Sequence, residues 1–396
     1  MSFFRNPCNI YFSLWSLYLL QGTLYESGSL TSQILLLIIL LISVKDAVMT
    51  FNMPHLPVYF KGLNALVLMF TIYGVFLFFT DGVYVHTKTG YVTLSSNYLR
   101  TLYYSILPVY SCYLYTRRGY LTGDVLKKWV LVFVVIAVSE FVRFQREKVE
   151  QYLNMGSERK EFTNNIGYIM LLLTPCAFIY QKKPLIQFII YGICMALVFV
   201  SMKRGAILIA AIAALFFFMD NLKLSGRRTR YTIFFFTITT LVVLYYLAKE
   251  MMMTNELLNQ RIEATLEGDS SGRNVIYSDL INHFVNDANI FQMIFGMGAE
   301  GTMKVTYNWA HNDWLEILTN QGIIGVSLFA FYWLDFWKTS NTRSYSRETR
   351  FVLKYIFLIL LLRTFFSMSI GDMSIYSSCM LGYALADGFK RDFKLT

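Results

Sequence analysis

Apolar stretches of roughly membrane-spanning length recur along the 396-residue chain, and no other feature restricts its fold as strongly. A helix needs about 20 apolar residues to cross a bilayer. The composition agrees, because 56% of the residues are hydrophobic and only 15% are charged, a balance that favours a membrane protein over a soluble enzyme. We predict an all-α polytopic fold of about twelve transmembrane helices. They lie near residues 10–22, 30–44, 59–80, 97–116, 129–142, 165–180, 184–202, 205–219, 231–248, 313–337, 351–367 and 373–388.

The positions of lysine and arginine predict the orientation of these helices. Basic residues concentrate in loops that face one side if the N-terminus is cytoplasmic, and such loops usually face the cytoplasm. The main basic loops are 117–128, 182–183, 223–230, 338–350 and 390–394. Both termini are then inside, and the outer side carries a slight excess of acidic residues. The net charge of +10 therefore reflects topology and gives no argument for a nucleic-acid partner. The first apolar run has no small-residue cleavage site and is expected to be retained as a span.

Residues 1–396 are predicted to form one integral membrane domain, and residues 249–312 form its longest extramembrane segment. We expect this segment to be an external subdomain with two helical patterns, ELLNQRIEATLE and RNVIYSDLINHF. Residues 270–272 precede the second pattern and predict a helix cap. Arg273 would then lie in the first helical turn, where backbone amides and the helix dipole favour an anion. The alternative is a solvated arginine on a loop.

Arg204 interrupts an apolar run that extends from residue 184 to residue 218. Both flanks of this run are basic, so the break at Lys203, Arg204 and Gly205 faces outward, as a tight hairpin or as a notch below the outer surface. Charged groups at membrane depth usually mark a polar cavity or a substrate path. The planar guanidinium suits a phosphate or pyrophosphate. The alternative is a stop signal or an arginine that reaches the interface along its own aliphatic stem.

His311 stands at the outer start of the predicted span 313–337. A helix N-terminus disfavours protonated imidazole, so the side chain is expected to be neutral and able to accept a proton. The alternative is a histidine that only caps the helix, although Asn312 or Asp313 would cap it better. Glu316 is a second candidate for the catalytic base. Alternatively, Glu316 is a buried acid that only accepts hydrogen bonds. Gly322 and Gly325 predict close approach of a neighbouring helix.

The sequence gives no sign of a metal or nucleotide cofactor. It contains no GxxxxGK phosphate loop, no DxD pair and no Cys/His metal spacing. The cysteines Cys8, Cys112, Cys176, Cys194 and Cys379 all lie in or beside apolar spans. We therefore expect no cofactor, no metal site and no disulfide framework. His55, His86 and His283 have no partner spacing and are expected to be structural or on the surface.

Four motifs around the outer segment resemble those of the bacterial O-antigen ligase and polysaccharide polymerase family. In chain order they are FTNNIGYIMLLLTP, MKRGAIL, SGRNVIY with the glycine turn FGMGAEG, and AHNDWLEILTNQGIIG. The motifs cover roughly residues 160–330, and the resemblance in topology covers the whole chain. One position departs from the family pattern, because Tyr277 stands where tryptophan is frequent.

The resemblance implies a GT-C type glycosyltransferase at the outer leaflet of the bacterial inner membrane. Its donor would be a glycan on undecaprenyl pyrophosphate, and its partners would be membrane lipid and a chain-length regulator protein. Arg204 and Arg273 would hold the pyrophosphate, and His311 would activate the acceptor hydroxyl. Supporting roles would fall to Lys203, Tyr277, Asn312, Asp313 and Glu316.

The slightly acidic outer side favours a polymerase, whose acceptor is a second lipid-linked repeat unit. A ligase must receive a phosphate-rich lipid core, for which a positive outer surface is expected. Ligase activity is the main alternative. A lipid-linked glycan flippase is a further one, although it would not need a large structured outer segment. An exporter would be expected to show internal repeats, and we see none.

Overall fold

A computed structural model describes residues 5–79, 84–87, 90–93, 103–154, 166–201, 203–224, 272–367 and 375–390, together with Ile238 and Tyr246. Its described elements are α1 (Pro7–Leu19), α2 (Leu30–Phe51), α3 (Tyr59–Phe79), β1 (Tyr84–Thr87), β2 (Gly90–Thr93), α4 (Pro108–Arg117), α5 (Gly123–Asn154), α6 (Ile166–Leu173, continued by a 3₁₀ turn Thr174–Tyr180), α7 (Pro184–Val200), α8 (Arg204–Leu224), α9 (Arg273–Asn282), a π-helical turn (His283–Asp287), α10 (Ile290–Phe295), α11 (Gly301–Thr306), α12 (Asp313–Ser340), α13 (Arg347–Phe366) and α14 (Ile375–Leu385).

The described part of the chain is helical apart from one short antiparallel hairpin, in which Tyr84 pairs with Thr93 and Thr87 with Gly90. This agrees with an all-α membrane protein. Helices occupy each predicted span except residues 231–248, which lie almost entirely outside the described residues. Among the residues that the structure describes, three helices are long and apolar enough to cross a membrane, namely Leu30–Phe51, Tyr59–Leu77 and Asp313–Ser340. Shorter apolar helices cover Ile166–Tyr180, Pro184–Val200, Arg204–Met219 and Ile375–Leu385. The number twelve stays a prediction.

Large apolar side chains remain exposed along the outward faces of several helices. On α2 they include Leu37 and Leu41, and on α8 they include Leu208 and Leu215. Soluble monomers rarely expose contiguous apolar surface of this extent. A hydrocarbon solvent removes the penalty, because lipid tails are as apolar as leucine. The surface pattern is therefore that of a chain surrounded by lipid.

The interior is packed largely by aromatic side chains and by close helix pairs. The α3–α12 pair is one example, because a Cβ at Gly62 would lie 2.6 Å from the Cα of Tyr332. In the same pair the Tyr59 amide donates to the Thr339 hydroxyl at 2.9 Å. Small residues at membrane helix interfaces allow this approach, and buried polar groups find partners across it. The five cysteines are buried and free.

Candidate active site

The apolar run breaks immediately before Arg204, at the position that the sequence predicts. Helix α7 ends at Val200 and α8 begins at Arg204. The Ser201 hydroxyl is fully buried and donates to the Val198 carbonyl at 2.6 Å, while the Lys203 amide donates to the Ser201 hydroxyl at 3.4 Å. These bonds fix the turn. Lys203 and Arg204 are both half-buried at its exit.

Gly205 allows three helices to meet beside Arg204. A Cβ at this position would lie 2.3 Å from the Tyr168 hydroxyl and 3.0 Å from the Phe366 Cβ. The Tyr168 hydroxyl donates to the Phe366 carbonyl at 3.2 Å, which joins the start of α6 to the end of α13. The glycine after Arg204 is therefore required by close packing. It brings the start of α8 into the same corner as Tyr168 and Phe366.

Arg273 reaches this corner from α9. It is the first residue of that helix, as predicted, and its guanidinium Nη1 donates to the Phe366 carbonyl at 3.2 Å. The same backbone oxygen thus accepts hydrogen bonds from Tyr168 and from Arg273. The N-cap residue is Gly272, with φ +77 and no side-chain cap bond. Ser270 and Ser271 lie outside the described residues.

His311 is held by the residues on both sides of it. The Asn312 side chain accepts from the amides of Trp314 at 2.9 Å and Leu315 at 3.3 Å, so Asn312 caps α12 as predicted. The buried Ala310 amide donates to Glu316 Oε2 at 2.8 Å. His311 itself has φ +52 and an exposed side chain. Left-handed backbone at a non-glycine residue costs on the order of 1–3 kcal/mol and persists where neighbours enforce it, often at functional sites.

The electrostatic surroundings of His311 join it to the basic residues. Although the His311 side chain reaches the surface, desolvation by the surrounding protein atoms lowers its pKa, and the positive charges of Arg273 and Lys203 lower it further. A lowered pKa leaves the imidazole neutral near pH 7, which is the form that accepts a proton. The structure therefore brings His311, Arg273 and Lys203 into one electrostatic neighbourhood.

Glu316 lies beneath this loop with 6% of its surface exposed. Its carboxylate accepts from the Thr302 hydroxyl, from the Asn320 side-chain amide at 3.1 Å and from the Ala310 amide. Buried polar groups are normally satisfied in this way. These contacts are those of a buried acid that accepts hydrogen bonds. They do not favour Glu316 as a second candidate for the catalytic base. Asp313 is also buried, at the first position of α12.

The loop that contains Gly296 and Gly298 packs against a kink in α12. It places the Thr302 hydroxyl within hydrogen-bonding distance of Glu316. The Met297 amide donates to the Thr319 carbonyl at 2.8 Å, and the Gly298 amide donates to the Asn320 carbonyl at 3.0 Å. The kink is at Gly322, with φ +66 and ψ −161. A Cβ there would lie 2.4 Å from the carbonyl oxygen of Ile294 in α10.

The two glycines of α12 therefore have different surroundings. The predicted close approach is confirmed for Gly322, whose neighbour is α10. At Gly325 a Cβ would instead meet side chains of its own helix, with Gln321 Cβ at 2.3 Å and Ile317 Cγ2 at 3.0 Å. Close approach of a neighbouring helix at Gly325 stays a prediction, because the nearest atoms there belong to α12 itself.

Aromatic side chains border the histidine loop. Tyr307 is 62% exposed and Trp309 is 37% exposed, and the Trp309 indole donates to Glu300 Oε2 at 2.8 Å. Trp314 belongs to the packing instead, because its indole donates to the Thr364 hydroxyl at 3.0 Å. That bond ties the start of α12 to the end of α13. Tyr277 is half-buried on α9.

Three helix N-termini lie at this corner, each beside a predicted site residue. Arg204 is the first residue of α8, Arg273 is the first residue of α9, and His311 precedes Asn312, the N-cap of α12. The first turn of a helix carries a partial positive charge. The side-chain cations and the helix ends thus add positive potential of the same sign. This arrangement suits an anionic ligand.

The remaining histidines lie elsewhere. His283 faces Asp287 at 3.6 Å within the π-helical turn. His55 borders a cleft of about 430 Å³ at the other end of the helices, which Arg117, Thr339 and Lys390 also line. None of the predicted site residues lines that cleft. His86 lies in β1. Among the described residues, no three His, Cys, Asp or Glu side chains are grouped to hold a metal ion.

Several residues of this corner did not emerge from the sequence. They are Tyr168, Thr302, Asn320, Arg363 and Phe366. The hydrogen bonds at Phe366 go to its backbone carbonyl, for which no side-chain signal exists. Arg363 did carry a signal, because it is a charged residue inside the apolar run YIFLILLLRTFF.

Comparison with known proteins agrees with the motifs. Residues 188–330 match a family model described as O-antigen ligase, and the matched segment contains Arg204, Arg273 and His311. No curated protein matches the chain significantly. The family match confirms the resemblance to the O-antigen ligase and polymerase group.

Proposed function

From this O-antigen ligase family match, we propose that the protein transfers a glycan from an undecaprenyl-pyrophosphate donor to a sugar hydroxyl. The acceptor is the glycan of another lipid-linked repeat unit, which makes the protein a polysaccharide polymerase. The fold proposed for it is GT-C-like. The reaction takes place at the outer face of the bacterial inner membrane, with residues 249–312 external and both termini cytoplasmic.

The observation that carries this proposal is the corner formed by Arg273, Lys203 and His311. A pyrophosphate is a good leaving group once its developing charge is stabilised, and oriented cations supply that stabilisation. Arg273 and Arg204, each at the start of a helix, are suited to this role. Arg273 is already oriented by its bond to the Phe366 carbonyl.

His311 supplies the base in this mechanism. Neutral imidazole accepts the proton of the acceptor hydroxyl while the hydroxyl oxygen attacks the anomeric carbon of the donor sugar. The bond between that carbon and the phosphate oxygen breaks, and undecaprenyl pyrophosphate leaves with the bonding electrons. Direct attack inverts the anomeric configuration. The proton then passes from His311 to solvent. Tyr307 and Trp309, exposed beside the loop, offer aromatic faces for sugar rings.

Ligase activity is the second candidate, since the matching family model is itself described as O-antigen ligase. The two activities differ only in the acceptor, and a deletion strain separates them. Loss of a polymerase leaves single repeat units on the final carrier. Loss of a ligase leaves long chains on undecaprenyl pyrophosphate, and that result would replace the polymerase proposal.

The direct test is transfer by the purified protein with lipid-linked repeat units as donor and acceptor. We expect longer lipid-linked glycans from the wild type and a loss on the order of a hundredfold to ten-thousandfold for His311→Ala. His283→Ala is the matched control, because His283 lies in the same segment but pairs with Asp287. Equal activity of the two variants would remove His311 from the mechanism. Absence of transfer by the wild type would contradict the polymerase proposal.

A further inference from the structure

Arg363 is a fully buried arginine in the last turn of α13, with 0% of its surface exposed. It lies three residues before Phe366. Burying a guanidinium in a membrane protein is costly, and well-packed apolar side chains would usually stabilise such a position better. A role other than packing is therefore expected for Arg363.

The contacts of Arg363 lead directly to the candidate active site. Its guanidinium carbon lies 5.0 Å from the centre of the Tyr168 ring, a cation–π geometry. The Tyr168 hydroxyl donates to the Phe366 carbonyl, the oxygen that also accepts from Arg273. Arg363 thus contacts the ring whose hydroxyl shares an acceptor with a proposed pyrophosphate ligand.

The same tyrosine also determines where α8 begins. Its hydroxyl would lie 2.3 Å from a Cβ at Gly205, so the start of α8 packs directly on it. A shift of the Tyr168 ring would therefore move the support of Arg204 as well as the acceptor environment of Arg273. Both proposed pyrophosphate-binding arginines depend on one ring, and Arg363 lies over that ring.

We propose that Arg363 is a positioning residue for glycan transfer, which holds Tyr168 against the Phe366 carbonyl and so orients Arg273 and Arg204 toward the pyrophosphate. The inference rests on the proposed function. Arg363 does not touch the substrate, because its side chain has no exposed surface. It acts through the cation–π contact and through the shared carbonyl.

The test compares Arg363→Met, Arg363→Lys, Tyr168→Phe and the double variant Arg363→Met/Tyr168→Phe. Methionine keeps much of the apolar stem and removes the charge, whereas lysine keeps a cation for the ring but lacks the planar fork. Arg350→Met is the matched control, about four turns away at the opposite end of the same helix. Each purified variant is assayed for thermal unfolding, for kcat and KM of transfer, and for binding of undecaprenyl pyrophosphate.

We expect Arg363→Met to lower kcat by about tenfold or more, below the roughly hundredfold cost of removing a group that contacts the transition state directly. Arg363→Lys should recover part of this loss, and Arg350→Met should stay near wild type. Tyr168→Phe should also lower kcat, because its ring remains but its bond to Phe366 is lost. Because the two residues act in series, the double variant should be little worse than Arg363→Met alone.

Three outcomes would overturn the inference. The first is near-normal kcat for Arg363→Met. The second is a double variant whose loss equals the product of the single losses. The third is a kcat that equals the wild-type value once it is calculated per folded enzyme molecule. Arg363 would then contribute to packing and stability only. If the wild type neither transfers glycan nor binds undecaprenyl pyrophosphate, the proposed function fails first and takes this inference with it.

Discussion

Replacing Glu316 by glutamine tests how the histidine loop is held. Glu316 receives hydrogen bonds from three donors, two of them side chains and one the Ala310 amide next to His311. A carboxylate accepts at both oxygens, whereas a glutamine amide accepts at one and donates at the other. The substitution keeps the shape of the side chain and removes one acceptor. It therefore isolates the hydrogen bonds from the packing.

The cost follows from the two ways in which the new amide can be oriented. If its oxygen faces Ala310, its NH₂ group faces the Thr302 hydroxyl, which can rotate to accept, and the Asn320 NH₂ group, which cannot. If the amide is reversed, its NH₂ group faces the Ala310 amide instead. Flipping Asn320 gives no relief, since its oxygen accepts from the Thr302 amide at 2.9 Å. Each arrangement leaves one buried donor unsatisfied, at a cost of about 1–3 kcal/mol.

We therefore expect Glu316→Gln to lower the thermal stability of the purified protein and to reduce transfer by about tenfold, which corresponds to roughly 1.4 kcal/mol of this cost. Loss of the general base itself would cost on the order of a hundredfold to ten-thousandfold. Glu300→Gln is the matched control, because a glutamine oxygen can still accept the single bond from Trp309. A loss of a thousandfold with unchanged melting temperature would refute this reasoning and make Glu316 the base. Unchanged stability and rate together would refute the hydrogen-bond argument.

Four further predictions follow from the site and the topology. Because the pKa of His311 is lowered, the transfer rate should rise with pH at values below the usual range of histidine titration. Lys203→Gln should move this rise to higher pH, because it removes a positive charge that lowers the pKa of His311. A pH–rate profile that is the same in the variant and the wild type would contradict this. Gly322→Ala should destabilise the protein by about 1–3 kcal/mol through backbone strain alone. The clash of the new Cβ with α10 should add to this loss, which thermal unfolding measures. Gly192→Ala, which has open space around its Cβ, should be neutral or stabilising. A reporter fused within residues 220–230 should be cytoplasmic, and an external reporter would overturn the topology. Transfer should continue in the presence of a chelator. If a chelator abolishes transfer and a divalent metal restores it, the expectation of metal-independent transfer is wrong.

Helix positions and helix starts were the most predictable features of the chain. Periodic hydrophobicity reports burial in lipid or core over many residues, so the positions of the described helices were predictable although their ends were not. Helix caps depend on a few neighbouring residues, and the cap at Asn312 and the start at Arg273 agree with the local sequence. By contrast, ELLNQRIEATLE lies outside the described residues and stays a prediction.

Contacts between distant parts of the chain were not predictable. Trp314 packs against Phe329 and its indole donates to the Thr364 hydroxyl, and the sequence identifies neither partner. Glu316 was considered as a base, but its role in the structure depends on Thr302 and Asn320, which the sequence does not identify as its partners. A single sequence gives the chemical type of each side chain. It does not give the donor or acceptor that the fold places opposite.

The Phe366 carbonyl explains why this site forms where helices end. The last carbonyls of a helix have no partner within it, and the C-terminal end carries partial negative charge. At the end of α13 this acceptor is used by Tyr168 and by Arg273, a cation that the helix dipole itself favours there. The adjoining helix ends have the opposite polarity, because α8, α9 and α12 all begin at this corner. One C-terminus thus orients a cation, while three N-termini add positive potential for the anion that the cation would bind. Deep within a membrane helix every backbone group is paired, so a site built from backbone acceptors and amides has to lie where the helices terminate.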